Sequence, residues 1–498
     1  MMYRNEMLKK LQKYWPVPFV ILYVVLNVFL IMHHENWRDE AQAWQIAKNV
    51  DFAGLFAQLK YEGHPFLWYL ILMPFAKLGV PFGIMNYISL VFMTAAVWLL
   101  LKKAPFFWPV KLILIFSSFY VYYYPVISRS YCMIPLLLSV IAILYPRRRE
   151  LGIWYGMALA FLTQTHVYMI GLSFLLSCFW LGETVCAVWR DKSDKGKSSS
   201  LYHALAGLGL SFASGVFLLW ELAGSTEMNT SIDIHISSSF SYNLYRNSVG
   251  AQWAVDNALG IGLSEQAWKL TLVGICICVV FLFWYSWKEA LILAGTFLTQ
   301  VLMFTYVYLS SEQKAMILIH ELIFILWLIL DKNRKTAWKR WHMQRIAWQA
   351  ILTFLSVIAI NGHFQKIVRD VREPYSAGKA AADYIINSVP EEEIVVTASD
   401  LAAFSAAAYL PEREIWYPVT EEEISFSVWN EERLEAIDYE EMLERVKEKY
   451  PEASGVYLIC GNSNYIAGLE EYIPVMKEVF RQEAMLPEES VTLYYLEL

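Results

Sequence analysis

Asn36-Trp37-Arg38-Asp39-Glu40-Ala41-Gln42-Ala43-Trp44-Gln45-Ile46-Ala47, closed by Glu62-Gly63-His64-Pro65, is the stretch on which the rest of the chain turns. It follows the first long apolar run. Ala43, Trp44, Ile46, Ala47 and Val50 recur at helical spacing and make one apolar face. Two adjacent carboxylates, Asp39 and Glu40, stand at the N-terminal end of that helix. An amphipathic helix just outside an apolar span is expected to lie along a membrane surface.

Outward from this stretch the chain reads as a membrane protein. Of its 498 residues 57% are hydrophobic, and the mean hydropathy is +0.37. Apolar runs of about 15 to 20 residues recur as far as residue 362, long enough to span a bilayer. The 20 Trp and 31 Tyr suit the aromatic girdles at the two membrane interfaces. The net charge of −7 hides a division. Residues 363–498 hold 11 Lys and Arg against 28 Asp and Glu, a net of −17, which leaves +10 on the rest. Two domains are therefore expected: a basic polytopic part, 1–362, and an acidic α/β part, 363–498. No nucleic-acid partner is expected.

The basic clusters orient the spans. Arg4, Lys9, Lys10 and Lys13 place the N-terminus in the cytoplasm, with the first apolar run as a retained anchor. Full spans are expected near 15–32, 84–101, 111–125, 131–145, 152–168, 170–189, 203–221, 267–285, 290–309, 315–330 and 346–362. Residues 65–79 are short for a span and read as a partial helix that need not cross. With about eleven crossings Arg147-Arg148-Arg149, Arg190–Lys197 and Lys332–Arg345 all fall inside, and Asp39 and the C-terminal domain fall outside. The loop 222–265 lacks an apolar span and is long enough to carry elements of its own. In the tail, helices are expected over 378–389, 400–409 and 439–449, with strands at 393–398, 424–429, 455–460 and 491–496. That alternation predicts a small, partly parallel sheet.

The outer segments hold the residues with chemistry in them. Asp39 reads two ways. With Gln42 it is a helix-capping pattern; as a partly desolvated carboxylate, its pKa raised, it is a general base. His64 before Pro65 starts a helix, where free N–H groups and an imidazole suit a phosphate. Arg129 either snorkels to headgroups or clamps a lipid phosphate, and Lys314 poses the same choice. His166 is a lone His between spans. His33, His34, Glu35, Asp39, Glu40 and His64 supply ligand types for a divalent cation, but no spacing specifies a metal. The six cysteines form neither a disulfide framework nor a zinc pattern. Gly196-Lys197-Ser198 lacks the first Gly of a phosphate loop, and His320-Glu321 lacks a second His.

At Arg38-Asp39-Glu40-Ala41-Gln42-Ala43-Trp44, Gly63-His64-Pro65-x-x-Trp68-Tyr69 and Ser128-Arg129-Ser130-Tyr131, the chain resembles the GT-C type membrane glycosyltransferases. The protein O-mannosyltransferases and lipid A aminoarabinose transferases are nearest in pattern. The resemblance implies a helical membrane domain and a polyprenyl-phosphate-linked sugar donor. It implies an extracytoplasmic site with Asp39 as catalytic carboxylate, Glu40 supporting it, and His64, with Arg129 and Tyr131, on the donor phosphate. It leaves the acceptor open among glycan, lipid and protein, and it implies an integral protein of a bacterial plasma membrane. A transporter or flippase for a lipid-linked or small solute is the alternative. Such a protein should carry ionisable residues deep in its spans, whereas here the notable charges gather at one face. A receptor without activity, binding a partner through its acidic tail, is a third reading.

Overall fold

The computed structural model describes residues 14–190, 198–222, 239–307, 309–332, 339–410, 413–428, 436–462 and 464–498. Among these, eight helices are long and apolar enough to cross a membrane: Ile84–Lys103, Ser130–Arg147, Val167–Trp189, Leu201–Glu221, Glu265–Trp284, Ser286–Tyr306, Glu312–Lys332 and His342–Arg372. Val17–Ile31, Leu67–Lys77 and Gly152–Thr163 are shorter apolar helices. The expected polytopic helical domain with a C-terminal α/β domain is the fold observed. The clusters at residues 4–13 and 191–197 lie outside the described residues.

Two departures have local causes. The span expected over 111–125 is broken: a helix runs from Trp108 to Ile115, a single turn covers Ser118–Val121, and 122–129 is irregular. Ser117 Oγ caps the Leu114 carbonyl at 2.6 Å. Pro125 lacks an N–H for the next turn. The span expected over 152–168 stops at Thr163, and Thr163 and Thr165 donate their hydroxyls to the Leu159 and Leu162 carbonyls. His166 is thereby released into a loop. The partial helix expected over 65–79 forms as Leu67–Lys77. It packs along Arg38–Asn49, and Lys77 Nζ donates to the Lys48 carbonyl at 3.2 Å.

Glycine sets one helix pair. A Cβ on Gly156 would stand 2.1 Å from the Gly207 carbonyl oxygen, and one on Gly207 2.0 Å from that of Gly152. The helices Gly152–Thr163 and Ser198–Glu221 therefore touch backbone to backbone. The helix Glu265–Tyr306 reverses at Ser286 (φ −151°, ψ 69°), and Trp268 meets Val301 in one apolar cluster, so its halves form a hairpin. Within the loop expected over 222–265, Phe240–Leu259 is helical; residues 223–238 lie outside the described residues.

The last membrane helix runs from Lys339 to Arg372, past the change in composition at 363, because Ile367 and Val371 still reach the main core. The tail then forms a six-stranded sheet of order β3-β2-β1-β5-β8-β7: β1 Ile394–Thr397, β2 Trp416–Tyr417, β3 Glu422–Glu423, β5 Gly455–Cys460, β7 Lys477–Gln482 and β8 Val491–Glu497, while β4 Ile437–Asp438 and β6 Ile466–Ala467 pair as a separate two-stranded sheet. Within the six-stranded sheet β1 is parallel to β2 and β5, and the remaining pairs are antiparallel. Alternate residues of β1 and β5 face Gly378–Ser388 and Asp400–Ala407 on one side and Tyr439–Lys449 on the other. No strand forms over 424–428, where the chain instead meets the membrane part through Ser427; Trp429 is outside the described residues. β7, whose charged residues Lys477, Glu478 and Arg481 are exposed, is not among the expected strands.

Candidate active site

The helix Arg38–Asn49 holds the centre of the site. Its surroundings differ from expectation. Glu40 through Ala47 are all buried, between Leu67–Lys77 and the tail helix Asp400–Ala407, so the helix does not lie on a membrane surface. Its polar positions allow this because they find protein partners. Gln42 exchanges hydrogen bonds with the Ser427 backbone (2.6 and 2.8 Å) and donates to Glu62 Oε1 at 2.9 Å. Arg38 donates its N–H to Glu489 Oε2 at 3.2 Å and pairs its guanidinium with Oε1 at 3.4 Å. The tail thus closes over the stretch it was expected merely to face.

The two carboxylates divide the readings between them. Glu40, not Asp39, makes the capping contact, accepting the Trp37 N–H at 3.2 Å. Its other lone pairs take Asn36 Nδ2 (3.0 Å), Asn86 Nδ2 (3.2 Å), the Ser128 N–H (2.6 Å) and His34 Nε2 (3.3 Å). A fully buried carboxylate with this many donors fixes geometry. It binds the Asp39 helix to the segment that carries Arg129. Asp39 is about one-third exposed at its side chain and pairs with Arg129 Nη1.

That ion pair reverses an expectation. Burial acts to raise the Asp39 pKa, but the Arg129 and Arg38 guanidinium groups outweigh it and hold the carboxyl below its usual value. Arg129 also donates Nη2 to His64 Nε2 at 3.1 Å. His64 Nδ1 lies 2.7 Å from the Glu62 carbonyl, so the proton sits on Nδ1 and Nε2 accepts. Burial and then the Arg129 charge push the His64 pKa down to about 4. His64 is a neutral support for Arg129 and, in this state, no donor to phosphate. The first turn after Pro65 is also taken, since the Phe66 N–H reaches Glu221 Oε1 at 3.4 Å.

His166 meets the His64 ring edge-on at 5.1 Å and continues a ladder of rings. His320, Tyr124, Tyr131, His166 and Tyr168 stack in sequence at centroid spacings of 4.9, 5.6, 4.6 and 4.7 Å. Tyr131 is thus one rung of the wall. His166 Nδ1 accepts the Tyr168 N–H at 3.3 Å, leaving a buried Nε2–H with no hydrogen-bond partner. Lys314 comes near enough for its charge to act on both His64 and His166, and its Nζ donates to the Leu309 carbonyl at 3.3 Å. The sequence-derived residues Asp39, His64, Arg129, Tyr131, His166 and Lys314 therefore converge.

Among the described residues no group of three or more His, Cys, Asp or Glu is disposed to hold a metal ion. Of the ligand types counted in the sequence, His33, His34, Asp39, Glu40 and His64 are otherwise engaged. His34 lies between Glu40 and Asp370 Oδ2 (2.9 Å), and His33 contacts the Phe29 carbonyl. Sequence reasoning missed Glu62, which accepts from Gln42, Gln58 and Tyr69, and whose pKa burial pushes up to about 7. It missed Asn86, Asp370 and Glu489 as well.

No protein-family model matches the chain, and no curated protein does. Solved structures do. One is ArnT from Cupriavidus metallidurans bound to undecaprenyl phosphate, with 11% identity and a TM-score of 0.50, over 97% of this chain and 98% of that one. The chain shares the overall fold of that structure. ArnT from the same organism in the apo state is similar over the same shares, with 12% identity and a TM-score of 0.49. The likeness to the undecaprenyl-phosphate-bound structure spans both the helical part of this chain and its tail.

Proposed function

We propose that the protein is a membrane glycosyltransferase that moves a sugar from a polyprenyl-phosphate donor to an acceptor on the extracytoplasmic face. The observation that carries this is Arg129 held between Asp39 and His64, at the meeting point of two outer loops. The fold shared with a protein that binds undecaprenyl phosphate supports the same donor class.

The chemistry follows from the parts. An acceptor hydroxyl or amine attacks the anomeric carbon of the sugar. The bond from that carbon to the phosphate oxygen breaks, and its electron pair leaves with polyprenyl phosphate. The acceptor proton goes to Asp39. Phosphate is a good leaving group, so one base suffices, whereas a glycosidase needs two carboxylates. In the free protein Asp39 is a weak base, because Arg129 neutralises it. An arriving phosphate competes for Arg129. Once the guanidinium turns to the phosphate, Asp39 loses its main stabilising partner and becomes a stronger base, so deprotonation is tied to donor binding. His64 fixes the guanidinium from behind. Lys314 adds positive charge, and the orphaned His166 Nε2–H is a donor for a phosphate or sugar oxygen.

The test is donor turnover. Purified protein is incubated with a panel of polyprenyl-phosphate sugars and a membrane extract as acceptor source, and released polyprenyl phosphate is measured by mass spectrometry. Release with one donor supports the reading and identifies the sugar. Folded protein that releases nothing from any donor, yet moves a lipid-linked sugar across a vesicle bilayer, contradicts it.

A further inference from the structure

The opposite, basic face of the bundle takes no part in that chemistry, yet it holds a cavity of about 960 Å³. It sits where the chain reverses at Ser286 and where the spans Ser130–Arg147 and Val167–Trp189 end. Arg147, Arg148, Arg149 and Lys288 line it, together with the carboxylates Glu150 and Glu183. Glu183 fixes the floor: it pairs with Arg148 and, at 2.9 Å, with Lys288. The Arg147–Glu150 pair at the rim is different, with both side chains about two-thirds exposed. An exposed pair of this kind is worth little and is readily exchanged for a stronger anion.

The flank of the cavity is apolar and open to the side. Trp287 contributes its half-exposed ring to the lining and meets Phe179 edge-on at 6.1 Å. From the cavity toward the middle of the adjoining spans Leu181, Phe174 and Leu291 are exposed. A soluble anion has no use for such a flank. A phospholipid does, because its acyl chains would lie along that surface while its phosphate enters the basic end. Aromatic side chains at headgroup depth and basic pockets between spans are the elements of lipid headgroup recognition, and the guanidinium fork matches a phosphodiester.

We infer that this cavity binds the headgroup of an anionic phospholipid from the leaflet on the basic face. The chain is purified into nanodiscs of phosphatidylcholine alone or with phosphatidylglycerol, then released and examined by native mass spectrometry. Retention of phosphatidylglycerol in preference to phosphatidylcholine is expected. The double variant Arg147→Gln/Arg149→Gln, which leaves the Glu183 clamp intact, should weaken that retention about thirtyfold for two charges removed near a membrane surface. Inorganic phosphate at tens of millimolar should not displace the lipid. Equal retention of both lipids, unchanged retention by a folded double variant, or displacement by inorganic phosphate alone would each overturn the assignment.

Discussion

At the scale of single residues the proposed reaction turns on Arg129, which pairs with Asp39 and donates to His64. Replacing Asp39 by Asn should lower turnover by about 10²–10⁴-fold, the usual worth of a general base, with donor binding kept. Arg129→Gln acts twice. It removes the phosphate partner, so KM for the donor rises. It also removes the charge that holds Asp39 low, so the Asp39 pKa rises and the acid limb of the kcat/KM profile moves to higher pH. An unmoved acid limb in a variant with residual activity would break the link between the two groups. The residues with local signatures were legible in the sequence: Asp39 beside a span, His64 before Pro65, Arg129 and Tyr131 between spans, His166 in an outer turn. Their protonation was not. The lowered Asp39 pKa and the bare His64 Nε2 depend on Arg129, which lies 90 and 65 positions away.

At the scale of elements, helix boundaries follow from side chains that compete for backbone groups. Apolar length marked most spans, because burial and hydropathy share one signal. It could not mark the break at Ser117 or the stop at Thr163, where hydroxyls cap carbonyls, and it is by that stop that His166 reaches the site. The backbone contact between Gly152–Thr163 and Ser198–Glu221 belongs here too. Gly207→Val should drive the helices apart, lowering thermal stability in detergent by about 1–3 kcal/mol. An unchanged melting temperature would mean that the pair does not touch as described. The Arg38–Asn49 helix was legible as amphipathic, but its cover was not. Its polar face looked made for water because its partners, Ser427 and Glu489, lie in a distant domain.

At the scale of the whole molecule one network ties the last membrane helix to the start of the chain, and a second contact ties in the tail. His34 joins Glu40 to Asp370, which also takes the Tyr122 hydroxyl at 2.7 Å. Burial opposes the charge on His34, yet the Asp370 and Glu40 carboxylates raise its pKa to about 10. Its pKa is higher folded than unfolded, so this pair stabilises fully below the ordinary value of 6.5 and is lost as pH rises through about 10. His34→Gln should lower the melting temperature at pH 6 and remove much of the decline between pH 7 and 10. A parallel decline in the variant would exclude His34 as its source. The Glu489–Arg38 contact ties the tail to the residue before Asp39. Glu489→Ala should therefore reduce kcat more than donor affinity, read as turnover against donor binding in the same preparation; an equal loss of both would make the contact merely structural. The acidity of the tail was plain in the sequence, and its docking was not, because Glu489 and Ser427 sit among many acidic and polar residues that look alike.

The central claim is that Asp39 takes the acceptor proton while Arg129 turns to the donor phosphate. The most direct measurement quantifies released polyprenyl phosphate by mass spectrometry for wild type and Asp39→Asn, with donor binding measured in parallel. Release by the wild type that falls by about 10²-fold or more in Asp39→Asn at unchanged donor binding is the predicted result. Equal release by both proteins would contradict it.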